Sequence, residues 1–554
     1  MIAARDRLDR GAVALGGLIV VAANLLYLTG LPLILDPAPD MDPLYIEMAQ
    51  HPIGHILTSD PAWGPLYALW FKPFVAMLGD PVAAYTANIY ALSIAVTGLI
   101  YCYIVVLTGR AAWGVAAACL FLIADLNVPL AGKVSDFALL LVLIGLTASE
   151  LVATASQRAT VVAAGVLLAA YARPEFYPAA LCLLAEAFWR ARAEAFPSRR
   201  AALVWPAALL IAMLGAAVWM GTPVLGRAQG GSRLLAAFQE HFAWNWSQWH
   251  NRPEYFLAVW EEEFGAAHSL LQAVWNNPGA AAHHVGQNFL GSIGFLAGSA
   301  FDHYPVLTPA TSTTAAKAES LLTSAALLGL LGAAVVRRAW RRQLVDRYGH
   351  VLFTYAILAA VPIASAIVIF PLARYLVVPA VLLLLMATLA ATIIVSEPAV
   401  RSWPARLALA LLCVAAIPRP FVLPSAYGVP DAPFKGRITV ARPIAETIAF
   451  IRHLGLPQPV QVLTFTDGIG ELLGPGFHEI KAWQKGQRSL EEYIRTNDIA
   501  VIVTLERGTD SFVVRDPYWT LIQSTPEAAG FTQVPVPGQD VARVYVRTSV
   551  LHRE

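Results

Sequence analysis

The chain has 554 residues, 57% of them hydrophobic and 14% charged, with a formal net charge of +1 and a mean hydropathy of +0.59. A soluble domain carries about 25% charged residues, so the composition argues against an ordinary soluble globule. A balanced charge also excludes the basic footprint of a nucleic-acid binder.

The apolar residues come in blocks, near 13–35, 82–107, 112–128, 134–153, 159–172, 176–189, 202–221, 319–336, 350–370, 375–396 and 404–422. A spanning helix needs about 17–25 such residues, and the blocks predict a polytopic α-helical membrane protein with about 11 transmembrane helices. No small-residue cleavage site follows the first block, which is expected to stay as a helix rather than act as a secretory signal. Cys102, Cys119, Cys182 and Cys413 all fall inside apolar blocks without metal spacing. They are expected as small core residues, with no disulfide framework.

Basic residues in short loops set the orientation. Arg5, Arg7 and Arg10 precede the first block, and Arg110, Arg158, Arg190, Arg192, Arg199 and Arg200 lie in loops of the same parity. Arg337, Arg338, Arg341, Arg342, Arg401 and Arg406 continue the pattern. This predicts a cytoplasmic N-terminus and places loops 36–81 and 222–318 and the C-terminal region on the outer side.

The first outer loop opens with Asp36-Pro-Ala-Pro-Asp40-Met-Asp42-Pro-Leu-Tyr45-Ile-Glu47. Carboxylates are costly in lipid, so this stretch belongs to the interface or a polar cavity. Two acids one residue apart either hold a cation or act as a base, or else they simply end a helix in a solvated loop. Tyr45 to His51 reads as a short helix whose apolar positions 45, 46, 48 and 49 face bilayer or protein. Trp63-Gly64-Pro65-Leu66-Tyr67 then leads into an interfacial helix around residues 68–74.

The next outer hairpin carries Lys133-Val-Ser135-Asp136, either part of the same cavity or a surface pair with Ser135 or Asp136 as helix cap. The following outer turn is Tyr171-Ala-Arg173-Pro174-Glu175, with Pro174 suited to a first helical turn and Glu175 to the helix dipole. Arg173 and later Arg374, in Arg374-Tyr375, stand on a side otherwise poor in cations. Each either binds an anionic substrate through its planar fork or pairs locally.

Residues 222–318 are too polar for spans. Their Trp244, Trp246, Trp249 and His250 suit either sugar faces or an aromatic belt. Adjacent His283 and His284 do not share a helix face and argue weakly for a metal. From residue 436 the pattern turns soluble, with helices at 442–452 and 489–495 and strands at 460–465, 499–504, 531–536 and 542–547. The division is thus 1–435, a membrane domain, and 436–554, an α/β domain. Gly468 and Gly470 lack the full dinucleotide fingerprint and read as a turn.

Asp40-Met-Asp42-Pro-Leu-Tyr45, Trp63-Gly64-Pro65-Leu66-Tyr67, Arg173-Pro174-Glu175 and Arg374-Tyr375 with Pro379 occur in the order found in membrane-embedded GT-C glycosyltransferases. The chain resembles the bacterial relatives of protein O-mannosyltransferases and aminoarabinose transferases. It lacks the adjacent Asp-Glu of the aminoarabinose-type enzymes. The resemblance implies a GT-C-like fold with a periplasmic C-terminal α/β domain in a bacterial inner membrane. It implies inverting transfer of a sugar from a polyprenyl-phosphate-linked donor to a periplasmic glycan, lipid or protein, in contact with membrane lipids and without nucleic acid. On that pattern Asp42 and Asp40 are catalytic, and Lys133, Arg173 and Arg374 hold the donor phosphate. Tyr45, Asp136, Glu175, Tyr375, Trp63 and His51 line the substrate, and a divalent cation (Mg or Mn) on Asp40 and Asp42 stays open. The rival readings are a transporter or flippase of lipid-linked substrate and a non-catalytic envelope assembly protein.

Overall fold

The computed structural model describes residues 9–30, 42–58, 64–124, 127, 133–194, 198–223, 233–251, 256–299, 313–396, 443–465, 469–480, 489–505, 516–538 and 542–551. Ten of the eleven apolar blocks fall wholly or in part on helices within these residues, and the block at 404–422 lies outside them. Among the described residues, four helices are long and apolar enough to cross a membrane: Pro81–Thr108, Arg199–Met220, Arg338–Val368 and Arg374–Ser396. Their burial differs sharply. The apolar window of Arg374–Ser396 is 89% buried and that of Arg199–Met220 only 17%, so the former is central and the latter keeps its Val204, Ile211 and Val218 outward.

The membrane body begins with α1 (Arg10–Gly30), followed by α2 (Asp42–Gln50), α3 (Ile53–Thr58) and α4 (Leu66–Leu78). Helix α2 replaces the expected Tyr45–His51 helix with an earlier start. It buries Tyr45, Ile46 and Ala49, so the predicted apolar face meets protein. Its C-terminal carbonyls are capped by Lys72, whose Nζ donates to Ala49 O and His51 O at 3.1 and 2.7 Å. A polar lock then joins α4 to α5 (Pro81–Thr108): Trp70 Nε1 donates to Asn88 Oδ1 at 2.6 Å, and Asn88 Nδ2 donates to the Tyr67 hydroxyl at 2.7 Å.

Helix α6 (Ala111–Ile123) returns beside α5, and α7 (Val134–Ser149) and α8 (Ala155–Ala170) form a tight hairpin. Midway along it Gly145 faces Gly165. A Cβ on Gly145 would lie 3.2 Å from the Gly165 Cα, and one on Gly165 would lie 2.8 Å from the Leu141 carbonyl oxygen. Small residues let helix backbones approach this closely. The turn between the two helices is sealed by a capping box between Thr154 and Gln157. Cys102 and Cys182, expected in the core, instead lie exposed on helix faces, because the outer faces of these helices are as apolar as the inner ones.

After α9 (Tyr177–Ala193) and α10 (Ser198–Met220) comes the polar segment, built as α11 (Arg233–His250), α12 (Phe256–Phe264), α13 (Leu270–Asn276) and α14 (Pro278–Gly294). It has its own core of Phe238, Phe242, Trp246, Trp260 and Phe264. Trp246 therefore serves neither as a belt nor as a sugar platform. Its Nε1 donates to Glu263 Oε1 at 2.8 Å, while Trp260 donates to Ala267 O at 2.9 Å. Helices α15 (Thr313–Val336), α16 (Arg338–Val368) and α17 (Ala373–Ser396) complete the described body.

The α/β unit opens with α18 (Pro443–His453) and holds a five-stranded sheet in the order β2-β1-β3-β5-β4. Strands β1 (Val460–Thr464), β2 (Phe477–Ile480) and β3 (Ile499–Leu505) run parallel. Strand β5 (Ala542–Arg547) pairs antiparallel with β3 and with β4 (Phe531–Pro535). The four expected strands are present; β2, with its exposed His478 and no alternation, was not foreseen. The unit is tied to the membrane body by Arg452. Its Nη1 lies 3.0 Å from Asp80 Oδ2, and its other nitrogens donate to Leu473 O and Leu472 O at 2.9 and 2.6 Å. Asp80 Oδ1 meanwhile caps α5 by accepting from the Val82 amide at 2.7 Å.

Candidate active site

The outer loops of the sequence reading converge where α2, α4, α7, the turn after α8, and α17 meet. The turn Tyr171–Glu175 is held by the chain leading into α4. The Leu66 amide donates to Tyr171 O at 3.3 Å, and Gly64, at φ +135°, passes so close that any Cβ would overlap that carbonyl. Only glycine meets both demands. The Gly-Pro-Leu-Tyr run thus braces the Arg-Pro-Glu turn.

Arg173 leaves this turn fully enclosed. Its Nε donates to Glu175 Oε1 at 2.6 Å, and its guanidinium carbon sits 4.7 Å from the centre of the Tyr375 ring. Arg374 approaches the same ring at 5.8 Å. Burial works against the Arg173 charge, but Glu175, with Tyr375 and Tyr45 adding to it, outweighs that cost. The result is a fixed, desolvated guanidinium with a second beside the same ring.

Tyr45, buried on α2, stands edge-on to Tyr67 with ring centres 4.9 Å apart. Asp42 is the first residue of α2. Tyr67 also packs on Phe137 of α7, centres 5.5 Å apart. One residue before it, Asp136 accepts from Lys133 Nζ at 2.7 Å, and Lys133 donates to Asn127 O at 2.8 Å. This is a buried pair, not the surface pair weighed from the sequence. The helix-cap expectation is also corrected: Lys133 itself occupies the cap position, and no side chain caps α7.

Arg173, Glu175, Arg374, Tyr375 and Tyr45 are therefore brought together, with the Lys133–Asp136 pair on the neighbouring helix. His51 stands apart: it is exposed at the end of α2, with its ring 4.7 Å from that of His55. Asp40 and Trp63 lie outside the described residues, as does the Asp42 side chain. Among the described residues no three His, Cys, Asp or Glu side chains converge on a metal position.

The polar segment contributes what the sequence did not reveal. His284 Nε2 lies 3.0 Å from Ile369 O and its Nδ1 2.9 Å from Asn245 Nδ2. Asn288 donates to Ile367 O and Ile369 O at 3.1 Å each. These bonds satisfy the orphan carbonyls at the end of α16 and fix the short connection that delivers Arg374 and Tyr375. Burial pushes the His284 pKa down to about 4, so the ring is neutral, and with both nitrogens hydrogen-bonded it acts as a structural clamp. On the side of the α/β unit, α19 (Ile469–Leu472) packs against α2. Glu471 there is pushed up to about 9 by burial and by its hydrogen bond to Glu479, with the charges of Glu479 and Glu47 adding to it.

The chain is similar to the arabinofuranosyltransferase AftD from Mycobacteria, with a TM-score of 0.41 and 15% identity, over 96% of this chain and 40% of that one. It is similar as well to ArnT from Cupriavidus metallidurans in the apo state, with a TM-score of 0.36 and 12% identity, over 96% of this chain and 98% of that one. The chain thus spans about 40% of the length of the AftD chain. No family model matches the chain, and no curated protein matches it.

Proposed function

We propose that the chain is a membrane glycosyltransferase that moves a sugar from a polyprenyl-phosphate-linked donor to a glycan, lipid or protein acceptor, with inversion at the sugar carbon. The observation that carries this reading is the enclosed Arg173, held by Glu175, stacked on Tyr375 and accompanied by Arg374 at the end of the bundle where α2 begins. Departure of a polyprenyl phosphate leaves negative charge on the phosphate, and pre-set guanidinium groups stabilise it without reorganisation. Lys133 adds a third cation on the neighbouring helix. Asp42, at the head of α2, takes the proton of the acceptor hydroxyl as general base, with Asp40 assisting or positioning the acceptor.

The same reading sets the membrane topology: a bacterial inner membrane, a cytoplasmic N-terminus, and the site and α/β unit on the periplasmic side. The test uses purified protein in lipid with polyprenyl-phospho-sugars. Release of polyprenyl phosphate, lost when Asp40 and Asp42 are both replaced by Asn at unchanged protein level, supports the reading. Movement of intact lipid across the bilayer without cleavage replaces it with a transporter.

A further inference from the structure

His241 on α11 is absent from every motif considered above, yet it is only 3% exposed. Its Nδ1 lies 2.7 Å from Ala237 O. A carbonyl can only accept, so Nδ1 carries the ring proton and Nε2 keeps a lone pair. Nε2 is buried and has no hydrogen-bond partner among the described residues. The ring is firmly held, stacked on Phe370 at 5.6 Å, edge-on to Trp244 at 4.5 Å, and beside Tyr375 at 6.5 Å between centres. The Tyr375 hydroxyl is likewise buried without a partner among the described residues. Burial pushes the His241 pKa down to about 4, so the lone pair persists at neutral pH.

Native proteins seldom leave buried polar atoms unpaired, and those that remain call for a ligand, a water or a catalytic role. Here one is a pure acceptor and the other a hydroxyl free to donate, on adjacent rings next to two guanidinium groups. We infer that His241 Nε2 and the Tyr375 hydroxyl together bind one hydroxyl of the donor's sugar, beside the phosphate held by Arg173 and Arg374. A sugar hydroxyl has one proton to give and lone pairs to accept, so it satisfies both atoms at once. An ionised phosphate oxygen has no proton for Nε2 and meets it lone pair to lone pair. Arginine thus reads the phosphate and His241 the sugar, while Phe370 and Trp244 offer ring faces to the sugar's C–H groups.

This inference rests on the transferase reading, and the experiment separates the two. Full-length protein in nanodiscs is titrated with bare decaprenyl phosphate and with decaprenyl phosphates carrying mannose or arabinose. The wild type is expected to hold at least one sugar-bearing lipid about tenfold tighter than the bare one. His241→Phe keeps the ring packing and loses the acceptor; it leaves the bare lipid's Kd unchanged and erases the tenfold gain. Tyr375→Phe erases it too, and His241→Gln, whose amide oxygen reaches the place of Nε2, restores much of it. A gain that persists in His241→Phe overturns the inference and leaves the transferase reading standing. A wild type without any gain, or an equal loss for all three lipids in a folded His241→Phe, overturns it as well. A wild type that holds none of the three lipids sinks the transferase reading itself.

Discussion

Arg173 and Tyr375 come from distant parts of the chain, yet the guanidinium carbon of one stands 4.7 Å from the ring centre of the other. Arg374 also approaches this ring, at 5.8 Å, so that one aromatic ring attracts two guanidinium groups. Arg173→Lys keeps the charge and loses the planar fork. Its expected effect is a fall in transfer rate of about 100-fold with little change in melting temperature, checked by release of polyprenyl phosphate.

Arg173→Met is a different experiment. It strands Glu175 in the protein interior, and removing one partner of a buried pair costs about 3–5 kcal/mol. The double variant Arg173→Met with Glu175→Gln is expected to regain most of that stability and none of the activity. Thermal unfolding beside a transfer assay separates the two effects; recovered activity in the double variant counts against a phosphate role for Arg173.

Gly64→Ala tests the brace beneath the arginine turn. The new methyl overlaps the Tyr171 carbonyl, and the backbone sits at φ +135°, where L residues are strained. Strain alone costs about 1–3 kcal/mol, and the overlap forces the turn to move. Lower melting temperature together with a raised KM is expected. A variant with wild-type kinetics would show that the turn does not need this contact.

The Asn288 clamp predicts a local rather than a global effect. Asn288→Ala frees the carbonyl of Ile367 and leaves that of Ile369 to His284 alone. Hydrogen exchange across residues 366–376 is expected to quicken, with kcat falling further than the melting temperature suggests. Uniform exchange between variant and wild type would mean that the connection is rigid without the clamp.

Glu471 gives a pH dependence whose sign is fixed. Its folded pKa, about 9, lies above the ordinary value of 4.5, so the folded unit holds a proton that the unfolded chain gives up. The stabilisation is complete below the ordinary value and is lost as pH rises towards 9. Melting temperature is therefore expected to decline across the neutral to alkaline range, and Glu471→Gln to flatten that decline. Asp80 works in the opposite direction. Partial burial opposes its charge, but Arg452 and two backbone amides hold its carboxyl below the ordinary range, so its contribution fades only in acid.

Hydropathy blocks and short-loop arginines made most of the helices legible, because apolar runs of spanning length have few other uses. The Arg-Pro-Glu turn and Arg374-Tyr375 could be singled out from the sequence because their cations fall outside the pattern of short-loop arginines, and the structure brings them together. His241, Asn245, His284 and Asn288 could not be. Each lies within a helix among other polar residues, and its importance comes from partners outside that helix, far away in the chain. Strand β2 escaped for a related reason: its pairing with β1 supplies the order that its own four residues do not signal.

The contact of Gly145 with Gly165 bears on catalysis without touching it. Helices α7 and α8 run in opposite directions, so Lys133 starts one and Arg173 follows the other at the same end of the hairpin. Where the two backbones cross, bare of side chains, the sliding of one helix along the other is fixed. That crossing acts as a ruler whose far end is the separation of the two cations. Enlarging either glycine therefore resets the distance between Lys133 and Arg173.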